Sequence, residues 1–101
     1  MRIIKPVAVR AWAARHADAA GALEMWMTLI EDADWKSLVE MRGMIPTADV
    51  TVASGRRVVV FNIGGNKYRL IAAVHYNTQI VYAMRFMTHA EYDKNRWKDE
   101  L

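Results

Sequence analysis

The hydrophobic pattern of this chain changes period at Pro46, and that change limits its fold more than any other feature. Before Pro46, apolar residues recur at helical spacing. Val9, Trp12, Ala13 and His16 fall on one side of a helix that starts at Pro6, where a missing N–H leaves no intrahelical bond unmade. Asp18 is the expected N-cap of a second helix, whose stripe is Ala22, Leu23, Trp26, Leu29, Ile30 and Ala33. Ser37 and Glu40 have capping-box spacing for a short third helix that Gly43 can end. After Pro46, β-branched runs take over at Val50–Ala53 and Arg57–Ile63, with Ser54-Gly55 as the turn between them. Gly64-Gly65-Asn66 is a second turn, followed by strands Lys67–Tyr76 and Gln79–Met87 around a turn at Asn77-Thr78. Thr88 caps a last short helix. With an opening strand at Arg2–Lys5, the pattern predicts one α+β domain over residues 1–101, its N-terminal helices packed on a small antiparallel sheet.

Alternation splits the strand Lys67–Tyr76 into two faces. Tyr68, Leu70, Ala72, Val74 and Tyr76 are expected on the helices. Lys67, Arg69, Ile71, Ala73 and His75 are expected on a shallow, uncovered surface.

Composition narrows the function classes. At 53% hydrophobic and 10% aromatic residues the chain suits a packed core, and without cysteine it has no disulfide, zinc–thiolate site or cysteine nucleophile. The opening Met1–Pro6 does not read as a signal peptide, and no apolar run approaches membrane-spanning length. The final Lys-Asp-Glu-Leu spells an ER-retention address, which has meaning only for a chain that enters the ER, and we read it as coincidence. Residues 1–50 hold six Lys/Arg against seven Asp/Glu; residues 51–101 hold eight against four. From Thr51 to Ala90 there are five basic residues and no acid. Such a block suits a polyanion, and it equally suits an ordinary solvated basic face.

Metal ligation is not expected, because His16, His75 and His89 have no paired ligand spacing. His16 reads as a helix-surface residue and His75 as a strand-end or platform residue. No phosphate-binding glycine loop or serine triad is present. The segment Phe61–Ile71 and the segment Thr88–Lys94 have the parts for RNA cleavage if a meander brings them together. An arginine can stabilise the charge of a five-coordinate phosphorus, and histidine or tyrosine can move protons. RNA supplies its own nucleophile. The same residues also suit a capped helix with ordinary polar groups.

These two segments resemble the HigB toxins of bacterial toxin–antitoxin operons, within the RelE/ParE group. The resemblance rests on Val59-Val60-Phe61-Asn62-Ile63, on Gly65-Asn66-Lys67-Tyr68-Arg69-Leu70 and on Thr88-His89-Ala90-Glu91-Tyr92-Asp93, with Ala33-Asp34-Trp35-Lys36-Ser37 as a further shared segment. It implies a RelE/ParE-like fold and an endoribonuclease that cuts mRNA in the ribosomal A site without metal or cofactor, leaving a 2′,3′-cyclic phosphate and a 5′-hydroxyl. It also implies a cytoplasmic protein, no membrane, and a HigA-like helix-turn-helix antitoxin through which alone the toxin meets operator DNA. Arg69, His89 and Tyr92 are the candidate catalytic residues; Asn66, Lys67, Arg57, Arg85 and Lys94 are the candidate RNA-binding residues. Asn62 reads as a turn-stabilising residue or an RNA contact. Many relatives carry a basic residue where this chain has Met84, with Arg85 next. A two-residue turn at Asn77-Thr78 pairs Arg69 with Phe86 and turns Arg85 away, whereas a three-residue turn brings Arg85 beside Arg69. Two rival readings remain: a gyrase poison of the same fold, which acts by binding, and a non-catalytic RNA-binding domain.

Overall fold

The computed structural model describes residues 1–101. Strand β1 (Arg2–Ile4) leads into helix α1 (Pro6–Arg15), then a 3-10 turn at Ala17–Ala19, helix α2 (Ala20–Asp32) and helix α3 (Leu38–Met44). Four strands follow, β2 (Asp49–Ala53), β3 (Arg56–Ile63), β4 (Tyr68–His75) and β5 (Ile80–Thr88), then helix α4 (His89–Asp93) and a 3-10 turn at Arg96–Asp99. The sheet order is β1-β5-β4-β3-β2. Strands β2 to β5 form the expected meander, and β1 adds a parallel edge beside β5, so the sheet is mixed. No helix is long and apolar enough to cross a membrane.

The helices cover one face. Val9, Leu23, Trp26, Ile30 and Met41 meet Val59, Phe61, Leu70, Ala72 and Val81 in the main core. The α-ammonium of Met1 donates to the carbonyls of Ile30, Glu31 and Ala33 and ties β1 to the negative end of α2.

Four expectations change. Gly43 does not end α3; the helix runs through Met44, and Gly43 stays inside it. Asp18 does not cap α2, whose N-cap is Ala19. Its carboxylate instead accepts the Tyr68 hydroxyl at 2.8 and 3.0 Å. His16 is not a plain surface residue: half-buried, it packs edge-on against Tyr68 and Phe86 at 5.2 and 5.3 Å. Most consequential, the second face of the sheet is not uncovered. Ala53, Val58, Val60, Ile71, Met87 and Trp97 form a smaller core there, and Ile71 is fully buried. The C-terminal turn supplies the cover, because Trp97 is large enough to bury a face that the helices cannot reach.

The bond from Tyr68 to Asp18, followed by partial desolvation, holds the Tyr68 phenol above its ordinary 10.0. A phenol that keeps its proton better when folded stabilises the fold below pH 10, and the contribution is lost as pH rises through the folded value. Tyr68→Phe is expected to lower stability at pH 7, because the Asp18 carboxylate loses its donor. It should also flatten the alkaline fall in stability, as urea melts at pH 7 and pH 10.5 would show.

Candidate functional site

The hairpin β4–β5 resolves the position of Arg85. Near the loop the strands pair as a two-residue turn requires, His75 with Ile80 and Ala72 with Ala83. A bulge then shifts the register, so that Ile71 pairs with Arg85 and Arg69 with Met87. Met84 is the extra residue, and it packs against the smaller core. Arg85 therefore shares a face with Arg69 despite the short turn. Its guanidinium donates to the Glu100 carbonyl at 2.7 Å.

Where β5 ends, Thr88 begins α4 with a full capping box: its hydroxyl accepts from Glu91 N, and the Glu91 carboxylate accepts from Thr88 N, both at 3.1 Å. Such a cap is worth about 1 kcal/mol and fixes the first turn. His89 is the first residue of that turn, and its N–H donates to the Lys67 carbonyl at 2.9 Å. The imidazole is thereby set beside the start of β4.

Arg69 is the one buried charged residue in the chain, 9% exposed, and no carboxylate pairs with it. Its guanidinium donates to the carbonyls of Tyr68 (3.1 Å) and Asn66 (3.3 Å), and to the Asn66 side-chain oxygen at 3.4 Å. It also meets Nδ1 of His89 at 3.4 Å and lies 5.7 Å from the centre of the Tyr92 ring. A guanidinium only donates, so Nδ1 accepts and the ring proton of His89 sits on Nε2. That nitrogen is 3.5 Å from Asp93 Oδ2, one helical turn on. Asp93 is thus part of the cluster; it is not among the candidates named from the sequence, though it closes the shared Thr88–Asp93 segment and stands at i, i+4 from His89. Burial, then the Asp49 carboxylate, push the Tyr92 phenol above its ordinary value, against a smaller opposite pull from Arg69.

The structure gathers Arg69, His89, Tyr92 and Asn66. Other candidates stand apart. Lys67 leaves the same turn, but its ammonium leans towards the helix layer, 3.8 Å from Asp18. Arg57 lies at the opposite end of β3 from the turn that leads to Arg69, and alternation puts it with Val59 on the helix face, so it does not reach the cluster. Lys94 is exposed after α4 and shares a shallow pocket with Arg85 and Arg96, rimmed by Glu91 and Glu100. Asn62 pairs with Arg69 across β3–β4 and is half-buried. His75 is exposed at the end of β4. No three His, Asp or Glu side chains converge to hold a metal ion.

The sequence model for "HigB_toxin, RelE-like toxic component of a toxin-antitoxin system" matches residues 19–95. An "mRNA interferase HigB" of Escherichia coli O6:H1 is 29% identical over 94 residues, 93% of this chain and 90% of that one. An "mRNA interferase toxin HigB" of Escherichia coli K12 is 50% identical over 34 residues, about a third of each chain. With three-quarters of its length matched by the family model and the fold in agreement, this chain belongs to the HigB toxin family, the RelE-like toxic components of toxin–antitoxin systems.

Proposed function

We propose that the chain is an mRNA endoribonuclease that acts on ribosome-bound mRNA in the bacterial cytoplasm without metal and is neutralised by a HigA-like helix-turn-helix antitoxin. One observation carries the chemistry: a buried guanidinium with no carboxylate partner, held by carbonyls beside a histidine and a tyrosine. A buried cation is costly unless an anion completes it, and an RNA phosphate is such an anion.

In this reading the scissile phosphate comes to rest on Arg69. His89 takes the proton of the 2′-hydroxyl, whose oxygen then bonds to phosphorus. The P–O5′ bond breaks, and Tyr92 gives its proton to the leaving 5′-oxygen. The products are a 2′,3′-cyclic phosphate and a 5′-hydroxyl. Two features support this division of roles: Nδ1 of His89 carries the ring's one lone pair, which comes free for the 2′-hydroxyl as the phosphate takes over the Arg69 guanidinium, and a phenol with a raised pKa holds its proton until an alkoxide forms. Asp93 orients the imidazole, and Asn66, Arg85 and Lys94 steady neighbouring phosphates.

After induction in a bacterial host, new mRNA 5′ ends are expected inside reading frames, in phase with codons and bearing 5′-hydroxyls. Growth arrest with intact transcripts would overturn the nuclease reading and favour a toxin that acts by binding.

A further inference from the structure

Helix α4 buries none of its own residues and is five residues long, too short to hold a shape by itself. Its cap fixes where it starts but not how the Tyr92 ring is held. A contact from outside the helix does that. Asn95 adopts a left-handed conformation, φ 60°, which asparagine tolerates, and the chain folds back at that point. Trp97 then stacks on Tyr92 with ring centres 5.4 Å apart and planes 20° from parallel. Its indole N–H donates to the Tyr92 carbonyl at 3.1 Å. Trp97 is 4% exposed, set in the smaller core. The turn around it is pinned twice more, by Ser54 Oγ donating to the Lys98 carbonyl at 2.6 Å and by Arg85 donating to that of Glu100.

We infer that Trp97 is a positioning residue: its indole holds the Tyr92 ring against Arg69, so the C-terminal turn, which lies beyond the segment matched to the family, completes the site. This rests on the reading of Tyr92 as the proton donor. Trp97 touches no reacting atom; it acts through the ring it stacks on. The same contact keeps water from the phenol, in keeping with the raised pKa of Tyr92.

The test uses the full chain cutting mRNA in a reconstituted translation system. Misplacing a catalytic group by about an ångström can cost up to ~10²-fold. Trp97→Leu fills the core without a ring and is expected to lower the saturated cleavage rate at least about tenfold, with half-saturation moved less than about twofold. Trp97→Phe keeps a stacking ring and is expected to stay within about threefold of the parent. In a Tyr92→Ala background, Trp97→Leu should add no further loss, as expected of residues that act as one unit. Val58→Ala thins the same core but leaves the stacked ring in place, and it should lower the melting temperature without lowering the rate. If Trp97→Leu does not fold, Trp97→Met takes its place.

A parental rate in Trp97→Leu, or an equal loss in the Tyr92→Ala background, would overturn the inference while leaving the reading of Tyr92 intact. Full activity in Tyr92→Ala would sink that reading and the inference with it.

Discussion

Arg69→Met is expected to cut RNA about 10²–10³-fold more slowly than the parent, the usual cost of removing a preorganised charge from a transition state. Its stability should remain within about 1 kcal/mol of the parent. The two outcomes have one cause. Folding takes Arg69 out of water without giving it a carboxylate, so the fold gains little from the charge. Methionine fills a similar volume and removes the buried cation, while the carbonyls of Tyr68 and Asn66 lose a donor; these effects oppose each other. Arg69→Lys should recover only part of the rate, because an ammonium cannot bridge two phosphate oxygens as the planar fork does. Chemical melts and single-turnover cleavage on the same preparations check both halves. Unimpaired cleavage by Arg69→Met would remove the residue from the site.

His89→Gln is expected to lower the rate about 10²–10⁴-fold, the range for loss of a general base. Glutamine keeps a neutral polar side chain of similar size beside Arg69, so RNA should bind nearly as before. It cannot take up a proton. The loss should therefore fall on the rate at saturating RNA and leave the half-saturating concentration nearly unchanged. A raised half-saturating concentration with an unchanged rate at saturating RNA would instead make His89 a binding residue. The capping box closed by Thr88 and Glu91 does not involve the imidazole, so the helix should survive the change.

Much of this was legible in the residues. The period change at Pro46 separates the half that supplies helices from the half that supplies strands, and Thr88 alone announces α4. The convergence of Arg69 with His89 follows from meander topology alone. What the sequence concealed were contacts made at long range. Asp18 had the right chemistry for a cap, but a tyrosine fifty residues away offered it a stronger partner in the folded chain. The small residues beside Ile71 read as an open surface because nothing nearby in sequence would cover them; Trp97 does so from beyond the last strand. Charge groups Arg57 with the other bases, whereas strand parity sends it to the opposite face. The position of Arg85 depended on a bulge, and turn length alone gives the wrong register at Arg69.

That bulge also separates two lengths that a regular hairpin would lock together. Met84 is the single residue by which β5 outruns β4 between the loop and the site. Without it the ladder would close evenly, with Ile80 still opposite His75 and Met87 still opposite Arg69. The hairpin thus carries one residue of slack, taken up locally as twist, and the spacing from turn to His89 is free to vary by that one step without parting the arginine from the histidine.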